Sequence, residues 1–292
     1  MRILLAYISL VLLWSTTPLA VKWSGEGVGY LFGASARMVI GLTICLLLLF
    51  FGRQALSLQR KALWTYVAVF VQLFASMLIV NWAAQFIPSG WISVIFGLVP
   101  LCTAIIAAIY LKERSLTWAK LASYGLGLGG LVLVFGSALQ LGQAAVLAIS
   151  SLLLAVWLQA ASAVWVKQIN AQIPALVQVT GGLCLAVPAY LTLWYFLDGQ
   201  WPIDIPLRSL CAILYLGGIA TAFWFGLYYF ILQRLPTTRV ALISLMSPVL
   251  ALIIGHLLNH EPLTLKIALG VALVVLSLLV HQLAERKLVK LN

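Results

Sequence analysis

The sequence predicts an all-α membrane protein, with ten transmembrane helices arranged as two inverted five-helix repeats. Three observations carry that prediction. The 292 residues are 64% hydrophobic and 8% charged, with mean hydropathy +1.13. A soluble domain is about one quarter charged, so this chain cannot clothe a water-facing surface. Its apolar residues gather into stretches of bilayer-spanning length. One such stretch, with the loop after it, occurs twice, 148 residues apart.

A helix crosses the hydrocarbon core with about 20 apolar residues. Read in order, the spans are 3–21, 30–51, 62–86, 88–111, 116–136, 144–167, 175–197, 208–233, 236–259 and 264–283. The first begins with Arg2 and an apolar run, as a signal peptide does. No small-residue cleavage site follows, so it reads as an uncleaved span. The remaining segments are short loops. With the N-terminus in the cytoplasm, that side holds Arg2, Arg53, Arg60, Lys61, Lys112, Arg114, Lys120, Lys167, Arg234, Arg239, Arg286, Lys287 and Lys290. The other side holds Lys22, Arg208 and Lys266. Thirteen against three is a strong positive-inside bias, and it predicts both termini in the cytoplasm. The net charge of +11 is thereby accounted for without a nucleic acid.

The repeated stretch joins VPLCTAIIAAIYLKERSLT at 99–117 to SPVLALIIGHLLNHEPLTL at 247–265. The same shift pairs Gln85 with Gln233, Pro88 with Pro236, Pro100 with Pro248, and Glu113 with Glu261. A weaker echo sets Lys22, at the end of span 1, opposite Lys167 at the end of span 6. The halves are then 1–139 and 140–292, with five spans each. Five is odd, so the second half enters the bilayer from the opposite face, a construction common among secondary transporters. Pro88 and Pro236 open their helices, where a missing N–H costs nothing. Pro100 and Pro248 lie about 18 Å further on, just past the bilayer midplane. There each removes a backbone hydrogen bond and strikes the carbonyl four residues back, at Phe96 and Ser244. Paired breaks in corresponding helices point to a cavity, and packing kinks are the plainer reading of the same prolines.

These residues resemble the drug/metabolite transporter superfamily, specifically its EamA type. The resemblance rests on WSTTPLAVK at 14–22, on Arg37 within FGASARMVIG, and on the doubled P-x(11)-P-x(12)-E pattern, with Gly125 and Gly129 of span 5 adding a little. It covers essentially the whole chain. It implies ten helices in two inverted halves and export of small metabolites such as amino acids across a bacterial inner membrane. Span 6 departs from the pattern: Gln159 stands where Trp14 sits in the first half.

The candidate substrate contacts are Trp14, Arg37, Gln72, Ser76, Gln159, Trp224 and Tyr228. Arg37 is the one basic side chain expected inside a span. An arginine at membrane depth costs about 2.5–3.5 kcal/mol on insertion scales, so it should face the bundle and have a partner. It can anchor a substrate carboxylate or pin neighbouring helices. Its rough counterpart in span 7 is the neutral Gln178. Gln72 and Ser76 share one face of span 3, as do Gln159 and Ser162 in span 6. Such groups bond between helices or bond a ligand. Trp14, Trp157 and Trp224 fall nearer mid-membrane than an interfacial belt requires, so they can stack on a substrate or simply pack. Pro100 and Pro248 are the candidate gating breaks.

No acidic residue is expected in the membrane core, because Glu26, Glu113, Asp198, Asp204, Glu261 and Glu285 fall at span ends or in loops. Proton coupling would need an intramembrane relay. His256 is the one candidate, and the other reading is transport down the substrate's own gradient. Cys45, Cys102, Cys184 and Cys211 lie in or beside apolar segments with no C-x-x-C pair, which argues against a disulfide framework or zinc site. No metal or other cofactor is expected. With His256, His260 and His281 the only histidines, no nucleophile–base set suggests an intramembrane enzyme. The expected partners are the bilayer and a small-molecule substrate. The glycines of YGLGLGGLVLVF at 124–135 fit either tight packing of span 5 or a homodimer face. Within transport, amino-acid export leads. Multidrug or organic-cation efflux and uptake by the same fold are the alternatives.

Overall fold

The computed structural model describes residues 2–110, 118–220 and 237–289. The described residues form helices α1 (Arg2–Ser24), α2 (Tyr30–Phe51), α3 (Arg60–Ala83), α4 (Ser89–Tyr110), α5 (Trp118–Ala138), α6 (Gln143–Ile169), α7 (Ala175–Leu197), α8 (Leu207–Ala220), α9 (Thr237–Asn259) and α10 (Leu265–Val289), with no strand among them. Eight are long and apolar enough to cross a bilayer; in α8 and α9 the described apolar stretches, Leu207–Ala220 and Leu245–Asn259, are shorter. Prolines stand just ahead of α4, α7 and α8, where no helical hydrogen bond is lost.

Contacts fix how the helices run. Antiparallel α5 and α10 meet through Gly127 and Gly130, since a β-carbon on Gly130 would lie 2.6 Å from the Gly270 carbonyl oxygen. Lipid supplies no hydrophobic drive between helices, so such close van der Waals approach is what holds them together. Of the glycines in the 124–135 stretch, Gly127 and Gly130 make the close contact and Gly129 lies against Leu273 of α10, while nothing lies within 4 Å of a β-carbon at Gly125. α2 runs antiparallel to α7, with Ser35 Oγ donating to the Tyr190 carbonyl at 3.3 Å. α1 packs on α9 and α8, α3 on α6 and α7, and α2 also on α8. The first half of α4 lies against α9 and α1, and its second half against α6 and α10. The largest core cluster joins α4, α6 and α10 through Trp91, Ile95, Ile149, Leu152, Val274 and Leu278.

Three helices depart from simple spans. α3 holds a π-helical turn at Val71–Ser76, and α8 holds one at Tyr215–Ala220. Apolar periodicity carries no signal for such turns. α4 is two helices, Ser89–Phe96 and Val99–Tyr110, whereas α9 runs unbroken through Pro248. α1 continues to Ser24, three residues past the predicted end, which places Lys22 in its last turn. Span 8 was expected to reach residue 233; its part beyond Ala220 lies outside the described residues.

Candidate functional site

Polar groups gather in two places, one midway along the spans and one at the end of the bundle where α4 begins and α9 ends. Midway along the spans, α3 and α6 are pinned twice. Ser76 Oγ donates to the Ala155 carbonyl at 2.9 Å, and Ser162 Oγ to the Ala68 carbonyl at 2.7 Å. Between these pins the antiparallel register sets Gln72 level with Gln159. Gln159 Oε1 is buried without a hydrogen-bond partner. Ser76, expected as a ligand or a tie, is therefore a tie here, and Gln159 carries the unmet polarity.

The π turn of α3 exposes carbonyls, and Tyr190 of α7 uses them. Its hydroxyl lies 3.1 Å from the Leu73 carbonyl oxygen and 3.3 Å from that of Phe74. The Phe74 ring meets the Tyr190 ring edge-on at 5.0 Å. Arg37 of α2 lies within electrostatic reach of this tyrosine. It is 7% exposed, and its Nε and Nη2 have no hydrogen-bond partner. The predicted partner for the guanidinium is thus missing at two donors. A buried charged group left unpaired is costly, and a bound anionic group would remove that cost. Gln178, the neutral counterpart, instead donates to the Ile173 carbonyl at 2.9 Å beside a cavity of about 300 Å³ at the other end of α7.

Trp14 is half-buried against Ala6, Leu10, Val11 and Ile243, so it packs between α1 and α9. Around it, Ser15, Thr16 and Thr17 donate to the Val11, Leu12 and Leu13 carbonyls, and Pro18 leaves the Trp14 carbonyl without its helical donor. Thr16 Oγ1 lies 2.6 Å from the Tyr215 hydroxyl in the π turn of α8. Because Thr16 already donates to Leu12, the tyrosine is the donor in that pair. Trp224 and Tyr228 lie outside the described residues, as does Glu113. Among the described residues no group of three or more His, Cys, Asp or Glu could hold a metal.

At the end of the bundle where α4 begins and α9 ends, sequence reasoning missed the principal group. Glu261 was expected in a loop, and there it is, but it is only 7% exposed. His260 takes a left-handed conformation (φ 50°) and turns the chain back after α9. The Glu261 N–H then donates to the Gly255 carbonyl at 3.2 Å. The carboxylate accepts from Ser89 Oγ (2.9 Å), the Gly90 N–H (3.3 Å) and Asn259 Nδ2 (3.0 Å), and Lys22 Nζ lies 3.5 Å away. It therefore caps the start of α4, where the helix dipole favours an anion. Glycine is required at 255, since a β-carbon there would lie 2.4 Å from Glu261 Oε2. His256 is exposed here, its Nδ1 donating to the Glu261 carbonyl at 2.8 Å. The sequence signals that could have found this hub were Ser89-Gly90 after Pro88, and the repeated glutamate.

The profile of the EamA-like transporter family matches residues 1–136 and, a second time, residues 146–281. The chain belongs to the EamA-like transporter family. Its relatives include the uncharacterized transporter YoaV of Bacillus subtilis (strain 168), 26% identical over 275 residues and covering 94% of each chain. An uncharacterized transporter of Archaeoglobus fulgidus is 24% identical over 272 residues, covering 92% of this chain and 94% of that one. A solved crystal structure superposes at TM-score 0.64 with 23% identity, over 98% of this chain and 99% of the other, a likeness of fold. This EamA protein is thus a multi-pass membrane protein of a transporter family, and its family and the names of its relatives point to transport rather than to an enzyme.

Proposed function

We propose that this protein is a secondary transporter of the bacterial inner membrane that exports small metabolites, foremost amino acids and related compounds, by alternating access. In this reading residues 1–139 and 140–292 are five-helix halves of inverted topology that rock about a central site. The observation that carries it is the pair of π turns. Val71–Ser76 and Tyr215–Ala220 lie 144 residues apart, in the third helix of each half. Such turns inside helices recur at functional sites. The neighbour pattern supports the same reading. Exchanging the halves turns the α1–α9 contact into α6–α4, α1–α8 into α6–α3, and α2–α8 into α7–α3, each a packed pair. The thirteen-to-three split of basic residues supports cytoplasmic termini.

Arg37 supports a carboxylate-bearing substrate, because two of its buried donors are unmet. The amides of Gln72 and Gln159 suit the polar remainder, an ammonium included. Trp14, Trp224 and Tyr228 are assigned to the apolar wall and Pro100 and Pro248 to the moving segments. His256 is exposed and already donates to the Glu261 carbonyl, which favours export down the substrate's own gradient over a relay through this histidine. Counterflow in proteoliposomes tests the reading, with pooled amino acids inside and one labelled amino acid outside. We expect accumulation that falls at least about tenfold in Arg37→Ala, a loss of about 1.4 kcal/mol or more, and partial recovery in Arg37→Lys. If folded protein accumulates no amino acid, that substrate class is wrong and organic cations are tried next.

A further inference from the structure

A connected polar network ties the end of the bundle where α4 begins and α9 ends. Glu261 binds Lys22 of α1, Ser89 and Gly90 of α4, and Asn259 of α9. Lys22 Nζ also donates to the Ile87 carbonyl at 3.0 Å, ahead of α4. From Asn259 the network continues to Trp23, whose Nε1 donates to Asn259 Oδ1 at 3.1 Å. The Arg208 guanidinium of α8 sits 5.1 Å above the Trp23 ring and 3.7 Å from Glu26. Four helices, α1, α4, α8 and α9, are joined at one end through side chains. These helices must part there before any central site can open outward.

The tie is strong at its centre and weak at its rim. The Arg208–Glu26 pair is largely exposed, and exposed pairs contribute little. Glu261 is buried, charged and fully used, so α4 cannot leave α9 without stranding it. The contact of α4 with α9 involves its first half, while its second half packs on α6 and α10.

The sequence repeats the parts of this hub. Glu113 precedes Glu261 by 148 residues, Pro236-Thr237 follow Pro88-Ser89 by 148, and Lys167 follows Lys22 by 145. We propose that the Glu261 network is the outer latch of the transport cycle. This rests on the alternating-access reading. The latch holds the outer face shut, so weakening it shifts the population toward opening that face.

The test follows access from outside without adding substrate. Cys45, Cys102, Cys184 and Cys211 are replaced by alanine, and Ser93→Cys supplies a reporter. Ser93 is buried one turn below Ser89 on α4. Its labelling by a membrane-impermeant maleimide is timed in right-side-out vesicles. Glu261→Gln should raise the rate on the order of tenfold. If Glu261→Gln fails to fold, Asn259→Ala removes one donor, keeps the ion pair, and should give a smaller rise. An unchanged rate in folded Glu261→Gln or Asn259→Ala overturns the latch. Because no substrate is present, the latch can stand when counterflow fails, and fall when counterflow succeeds.

Discussion

α4 and α9 are built on one pattern and do not share one backbone. Each follows a proline, Pro88 or Pro236, and carries a second twelve residues on, Pro100 or Pro248. In α4 the helix stops at Phe96, whose carbonyl the Pro100 ring would strike, and restarts at Val99. α9 runs from Thr237 to Asn259 with Pro248 inside it. Proline therefore removes a hydrogen bond and leaves the neighbours to decide what the backbone does. The nearby difference is Gly97, where α9 has Leu245. The Gly97 N–H lies 2.9 Å from the Ser93 carbonyl oxygen and 3.1 Å from that of Val94, in a turn pressed on Val274 and Leu278 of α10. Leu245 instead fills the main core. Packing, not the proline alone, chooses where a span breaks. A repeated sequence thereby holds two backbone states at once.

Giving α4 the residue of α9 should have the largest effect. In Gly97→Leu the first added carbon would lie 2.9 Å from the Val94 carbonyl oxygen and 3.2 Å from Val274 Cγ1. Overpacking of this kind costs about 1–3 kcal/mol, so thermal unfolding in detergent should move down by several degrees. An unchanged midpoint would mean the break can absorb a side chain. Next come the prolines. Pro100→Ala should slow counterflow about tenfold, equivalent to about 1.4 kcal/mol on the barrier, and Pro248→Ala by less than about threefold. Equal losses would erase the contrast between the helices. The smallest effect belongs to a single tie between two helices. Ser76→Ala removes one bond from α3 to α6 and should cost about 0.6 kcal/mol. An unfolding cycle with Ser162→Ala should be close to additive, because the two pins touch different carbonyls.

The sequence carries the architecture because lipid punishes any other answer: charge falls at the ends, apolar runs must be helical, and the basic bias sets the side. The shared face of Gln72 and Ser76 was legible from spacing, and so was that of Gln159 and Ser162. What Ser76 does was not, since its partner is a backbone carbonyl of α6. The π turns left no mark in apolar periodicity, which they change by only one residue. Glu261 read as a loop residue because its burial depends on His260 adopting a left-handed turn, and histidine does so only occasionally. Pro100 and Pro248 read as equivalent breaks in the sequence, and their different outcomes lay in contacts with α10.

The π turn in α3 amounts to a stored twist. Such a turn holds one residue more than the α-helix around it, and one residue is worth about 100° of rotation and about 1.5 Å of rise. Moving that surplus along α3, or expelling it at an end, would swivel the segment beyond it like a screw with a spare thread. Met77–Ala83 would then present a new face to α6 while every backbone bond on either side stayed made. The matching surplus in α8 gives the second half the same latitude.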